Sequence, residues 1–211
     1  MKKLKLVLAD DHAVVLMGLR SMLEQYLHYQ VAAEATSPSE LVEVLRSDRF
    51  DVAVIDFNMP GDETYGDGVR FIGYLTRHFP EVKFLVFTML SNRLVLDRLR
   101  ELGVYAVVRK DAGMSPLLSA LDAISKGRSV QRQHALESSG GDLQDRLALL
   151  SVKEYEVLRL FASGLRVSDI ARVLKRSDKT ISAQKASAKR RLGVTTDQEL
   201  LASCLSGQLF L

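Results

Sequence analysis

Val52-Ala53-Val54-Ile55-Asp56-Phe57-Asn58-Met59-Pro60-Gly61 decides how the first half of this 211-residue chain folds. Four small or β-branched apolar residues run without a polar interruption and stop on a carboxylate. A short run that is apolar throughout reads as a strand buried on both faces, as in a parallel sheet covered by helices. Similar runs recur at Leu4–Ala9, Val31–Ala35, Phe84–Phe87 and Ala106–Val108. The stretches between them are amphipathic. Val14, Val15, Leu19, Met22, Leu23 and Leu27 are expected on one helical face, and Leu41, Val44 and Leu45 on another. Ser37-Pro38-Ser39-Glu40 joins an N-cap Ser, a Pro in the first turn and a Glu at capping-box spacing; Ser115-Pro116 opens the last helix in the same way, and Gly127 closes it. Five strand–helix units in order predict an α/β fold, a doubly wound five-stranded parallel sheet with its site at the carboxyl ends of the strands.

Polar residues collect at those ends. Asp10 and Asp11 follow the first run, Asp56 the third, Thr88 the fourth and Lys110 the fifth. Singly, each is an ordinary turn residue. Together they put three carboxylates, a hydroxyl and an ammonium at one sheet edge. Like charges so gathered raise each other's pKa values and call for a counter-ion. Mg²⁺, a hard cation that takes oxygen ligands and keeps several waters, suits the set, and Lys110 adds a second positive charge. Such a site can bind a phosphoryl group, with one carboxylate as nucleophile. His12 is the weaker ligand candidate, because Mg²⁺ prefers oxygen; a turn histidine is the expectation.

Leu8-Ala9-Asp10-Asp11-His12, Val54 to Gly61, Phe87-Thr88 and Arg109-Lys110 jointly resemble the receiver domains of bacterial response regulators. The resemblance covers roughly residues 4–127 and implies that Asp56 is the phospho-acceptor. It also implies that Asp10, Asp11, Asp56 and the backbone carbonyl of Asn58 hold Mg²⁺, and that Thr88 and Lys110 meet the phosphoryl oxygens. Two features depart from the pattern. Val107 stands where many receivers have an aromatic switch residue, with Tyr105 two places earlier. The acidic, glycine-rich loop Gly61–Gly68 is longer than usual and is expected on the surface.

Residues 128–147 lose the periodicity around Ser138-Ser139-Gly140-Gly141. The organisation expected is a receiver over 1–127, a flexible linker over 128–146 and a small all-α domain over 147–211. Charge changes across this boundary: residues 1–145 carry 17 Lys+Arg against 20 Asp+Glu, and residues 146–211 carry 12 against 6. A basic block of this kind points to an anionic polymer as partner, or more plainly to a basic solvated surface.

Ser151 and Glu154 are spaced as a capping box, and Val157, Leu158, Phe161 and Ala162 form a stripe ending at Gly164. Val167–Leu174, the turn Lys175-Arg176-Ser177-Asp178 and Thr180–Leu192 then read as a helix-turn-helix, with Ile181 and Leu192 inward. The outer face of its second helix carries Ser182, Gln184, Lys185, Ser187, Lys189, Arg190 and Arg191. Small residues allow close entry to a major groove, polar ones reach base edges, and cations hold phosphates. Leu150 to Leu158, Ile170-Ala171, Lys179-Thr180-Ile181 and Lys189 to Val194 resemble the DNA-binding domain of the NarL/FixJ (LuxR-type) regulators. That resemblance implies Lys179, Ser182, Ala183 and Lys185 at or near the groove of double-stranded DNA, Lys189 near the backbone, and dimerisation through Asp197–Leu205. Many relatives carry Lys where this chain has Ala186.

The 61–68 loop, Tyr74, Arg77-His78-Phe79-Pro80 and Ser182-Ala183-Gln184-Lys185 are similar to the capsule-synthesis regulators of the Rcs phosphorelay within this family. The similarity implies phosphate supplied by a sensor kinase or histidine phosphotransfer protein, and a homodimer or a heterodimer with a related regulator. The function expected is a response regulator, not an enzyme, in which phosphorylation of Asp56 controls dimerisation and sequence-specific DNA binding. One rival keeps the DNA binding but makes the receiver a phosphorylation-independent protein-interaction scaffold. Another, an aspartyl-phosphate phosphatase of the haloacid dehalogenase kind, needs a second Asp two residues after the nucleophile, where Asn58 cannot transfer a proton. Asp10-Asp11-His12 interrupts any signal-peptide core, no apolar run reaches bilayer length, and the single Cys204 suits a reducing compartment; a cytoplasmic protein without membrane contact is expected.

Overall fold

The computed structural model describes residues 3–90, 92–128 and 150–206. Beyond Arg128, the expected linker lies outside the described residues, as do 147–149 and 207–211 of the expected second domain. Two compact units are present, one built on a sheet and one on helices.

The first unit contains β1 (Leu4–Ala9), α1 (Ala13–Leu23), β2 (Tyr29–Ala35), α2 (Pro38–Ser47), β3 (Val52–Ile55), α3 (Gly68–His78), β4 (Lys83–Thr88), β5 (Ala106–Arg109) and α5 (Ser115–Ser125); between β4 and β5 runs α4 (Arg93–Glu101), whose residues up to Arg98 group with the second unit. All strand pairs are parallel, in the order β2-β1-β3-β4-β5. Every residue of β3 is buried, as its unbroken apolar run requires. The strand order reverses between β1 and β3, which leaves a crevice at their carboxyl ends. Ala9 pairs with Ile55 there, so the residues that follow, Asp10 and Asp56, leave the sheet side by side.

Local chemistry sets most boundaries. Ser37 caps α2 by accepting from the Glu40 backbone N–H at 3.2 Å, but the Glu40 carboxylate reaches Thr36, not Ser37, at its N–H (2.6 Å) and hydroxyl (2.8 Å). The box is thus extended by one residue. α5 begins at Ser115 itself, with Met114 at the cap and no side-chain cap bond. Its end is as expected: Gly127 adopts φ 62°, and the Arg128 N–H bonds back to the Ala123 carbonyl at 2.9 Å.

Two expectations need correction. In α1 the buried set is Leu16, Leu19 and Leu23, whereas Val14 is 81% exposed and Leu27, beyond the helix end, 85%. Apolar residues fill most of this helix, so composition did not distinguish the inward stripe, and the helix stops before Leu27 can join it. The 61–68 loop is not wholly superficial, because Gly66, Asp67 and Gly68 are buried. Asp62 anchors its start. One carboxylate oxygen accepts from the Thr64 and Tyr65 N–H groups at 2.9 and 2.8 Å, and the other from Ser39 N–H at 2.7 Å.

The C-terminal helices of the second unit are α6 (Val152–Ala162), α7 (Val167–Leu174), α8 (Asp178–Leu192) and α9 (Asp197–Ser206). The expected capping box is present: Ser151 accepts from Glu154 N–H, and the Glu154 carboxylate accepts from Ser151 N–H at 2.8 Å. Val157, Leu160, Ile170, Ala171 and Ile181 form the core that holds α6, α7 and α8 together. Ser177 caps α8, which starts two residues before the expected Thr180.

Candidate functional site

The acidic crevice is built by three strand ends. Asp10 continues β1 and hydrogen-bonds through its N–H to the Ala35 carbonyl at 3.1 Å; Asp56 continues β3 and bonds to the Ala9 carbonyl at 2.8 Å. These ties fix both carboxylates on one edge. Lys110 follows β5 and opens a short 3-10 turn, Lys110–Ala112. Its Nζ lies 2.6 Å from Asp10 Oδ2 and 3.0 Å from Asp56 Oδ2, joining residues 100 and 54 positions apart in the chain. Asp10 and Asp56 are both buried, and Thr88, the last residue of β4 and not the first after it, is buried as well.

Burial drives the electrostatics. It pushes the Asp56 carboxyl up to about 6; the Lys110 ammonium opposes this, the neighbouring Asp10 charge adds to it, and the Asn58 backbone N–H opposes it. For Lys110, burial acts downward, but the carboxylates of Asp56 and Asp10 outweigh it and raise the ammonium above its usual range. Lys110 therefore serves as an internal counter-ion between two buried acids.

Asp11 is more exposed, and it completes a group whose ligand atoms lie within 4.8 Å of one another: Asp10, Asp11, His12 and Asp56. The donors suit a hard cation through their carboxylate oxygens. His12 is closer to this chemistry than a passive turn residue, since its Nδ1 is 3.2 Å from Asp10 Oδ1 and 3.0 Å from Asp11 Oδ1. Its place immediately after the two acids was the available signal. The backbone of Asn58 also faces the site, through the N–H that meets Asp56.

On α8 the residues expected near DNA divide into two groups. Lys179, Ser182 and Ala183 are exposed. Lys185 and Lys189 are turned towards α9, with Nζ–Asp197 distances of 2.8 and 3.1 Å. Lys185 also lies 4.2 Å from the centre of the Phe161 ring. Asp197 is held below the usual carboxylate range by its hydrogen bond to Lys185, with a further contribution from Lys189. Arg190 is exposed on the same side of the helix as Lys179. Its position eleven residues on, three turns of 3.6, was the sequence signal for that.

Comparison with known proteins covers both units. Residues 6–122 match the response regulator receiver domain, and residues 148–203 match the bacterial regulatory proteins of the luxR family. The transcriptional regulatory protein RcsB of Salmonella typhi is 41% identical over 206 residues, 95% of this chain and 94% of that protein. The oxygen regulatory protein NreC of Staphylococcus haemolyticus is 29% identical over 220 residues, 98% of this chain and 99% of that protein. A solved structure of RcsB from Salmonella enterica serovar Typhimurium, bound to promoter rprA in the presence of the phosphomimetic BeF3−, is 40% identical and covers 97% of this chain and 100% of its own, with a TM-score of 0.81. Another shows two RcsB dimers bound to two parallel DNAs, at 39% identity and a TM-score of 0.78, covering 96% of this chain and 98% of its own. With its receiver crevice followed by a luxR-type helical unit, the chain belongs to the response regulator family of transcriptional regulators.

Proposed function

We propose that phosphorylation of Asp56 switches this protein between states that differ in dimerisation and in DNA binding, and that it acts on transcription in the cytoplasm. The observation that carries the reading is the Lys110 ammonium spanning Asp10 and Asp56 across three strand ends. Two buried carboxylates held on one ammonium at the open edge of the sheet form a site where a phosphoryl group can replace one of the carboxylate charges.

The phosphoryl group comes from a phosphohistidine on a sensor kinase or phosphotransfer protein. An Asp56 carboxylate oxygen forms the new bond to phosphorus, the N–P bond breaks, and the imidazole leaves with its electron pair and takes a proton. Lys110 pairs with the phosphoryl oxygens in place of the carboxylate charge that Asp56 gives up, and the Thr88 hydroxyl offers a further donor. Asp10, Asp11, Asp56 and the Asn58 backbone carbonyl would hold Mg²⁺, which supplies charge neutralisation at the phosphoryl oxygens when bound. In the second unit, α8 enters the major groove of double-stranded DNA through its Lys179, Ser182 and Ala183 face. Lys185 and Lys189 steady the helix from behind that face through Asp197 of α9, and a second copy or a related regulator occupies the adjoining half-site. The promoter-bound and dimeric RcsB structures support this part.

Incubation with radiolabelled acetyl phosphate and Mg²⁺ tests the reading. Label should enter the wild type and be absent from Asp56→Ala, and equal labelling of the two would overturn it. A second reading, in which the receiver is a scaffold indifferent to phosphate, draws on the switch region. The Tyr105 hydroxyl donates to the Arg128 backbone carbonyl, and Val107 is aliphatic. Wild-type protein that takes no label yet binds DNA would favour it.

A further inference from the structure

The basic residues of α8 are not equivalent. We propose that Lys179 and Arg190 are the phosphate contacts of this helix, at the two ends of one exposed stripe. Lys185 is instead a positioning residue that fastens α8 to α6 and α9. The inference rests on the reading of α8 as the groove-entering helix and names the residues that carry it.

Residues 179, 182, 183, 186 and 190 recur at the three- and four-residue spacing of one helical face, and all five are exposed. Between the two cations this face carries Ser182, Ala183 and Ala186, side chains short enough to let the backbone approach a groove floor. Eleven residues at ~1.5 Å each separate the ends by about 16 Å along the helix, too far for one phosphate to serve both cations. Each cation therefore meets a phosphate of its own. The helix has a single acidic residue, Asp178, in its first turn. Among the described residues, Lys179 and Arg190 form no ion pair.

Lys185 is in the opposite situation. It is 17% exposed, and its ammonium is held between the Asp197 carboxylate of α9 and the Phe161 ring of α6. Lys189 shares the same carboxylate and is 20% exposed. An ammonium already neutralised must give up its partner before it meets a phosphate. The exchange strands Asp197 beside the DNA and releases little counter-ion. Arg190 meets neither penalty.

The test uses the full-length protein and a labelled mixed-sequence DNA duplex, with affinity measured across a salt series and melting midpoints recorded for each variant. Arg190→Ala and Lys179→Ala should each lower the slope of log affinity on log salt by about one unit. Each should also cost about tenfold in affinity, with the melting midpoint unmoved. Arg190→Lys should retain the slope. Lys185→Ala should lower the melting midpoint, and Lys185→Met, which keeps the apolar stem on Phe161, should fold and bind with the wild-type slope. A wild type that shows no salt-dependent binding would overturn the groove reading of α8 and this inference with it. A wild type that binds, with Arg190→Ala unchanged or Lys185→Met losing a unit of slope, would overturn this inference alone.

Discussion

Asp56 shows how one residue carries both chemistry and a cost. Its carboxyl is raised from 3.8 to about 6, chiefly by burial, so the folded state favours the protonated form. The stabilising effect of that preference is fully present below pH 3.8 and is lost as pH rises through about 6; above that, the ionised carboxylate destabilises the metal-free fold. A shift of about two units corresponds to roughly 3 kcal/mol. Asp56→Asn removes the charge and keeps the shape. In the presence of a chelator it should therefore melt higher than the wild type at pH 7.5, with the gap closing towards pH 4. Thermal unfolding at several pH values checks this, and a gap that does not change with pH would sink it.

At the scale of elements, α1 and the α7–α8 turn give the sharpest expectations. Leu23 is fully buried at the end of the Leu16-Leu19-Leu23 stripe, while Val14 on the same helix is solvent-facing. Leu23→Ala should cost about 3 kcal/mol through lost burial and the cavity left behind. Val14→Ala should stay within about 0.5 kcal/mol of wild type. Denaturant unfolding separates the two. In the second unit Lys175 ends α7 with φ 52°, the one non-glycine residue with positive φ among those described. The Arg176 N–H bonds to the Ala171 carbonyl at 2.9 Å, a closure that usually places glycine at the Lys175 position. Lys175→Gly should relieve the left-handed backbone and stabilise the unit by about 1 kcal/mol. A lower melting midpoint would show instead that the Lys side chain has an unrecognised role.

At the scale of the whole molecule, two units with separate cores must communicate through changes in which surfaces meet. Receiver pairing is the direct route, because joining two weak DNA-binding halves raises avidity on a paired site by ~10²–10⁴-fold where the geometry allows both to engage. Phosphodonor should therefore raise the apparent mass of the full-length protein and tighten its binding to a two-half-site duplex, while the segment 147–211 binds weakly and ignores phosphodonor. Equally tight binding by the segment would make the receiver an inhibitor. Already legible in the chain were the alternation of strands and helices, the carboxylates at the ends of β1 and β3, and the capping box at Ser151. All of these depend on residues a few positions apart, where helical and strand periods govern. The alternation already placed Asp10, Asp56 and Lys110 at one sheet edge; the fold settled that β1 adjoins β3 and that the Lys110 ammonium lies within 3.0 Å of both acids. It also decided that Gly66–Gly68 are buried, and that Asp197 takes Lys185 and Lys189 away from the outer face of α8. The reason is physical: periodicity reports which face a residue occupies, whereas the partner on that face comes from another element, whose place depends on how all the apolar surfaces are buried at once.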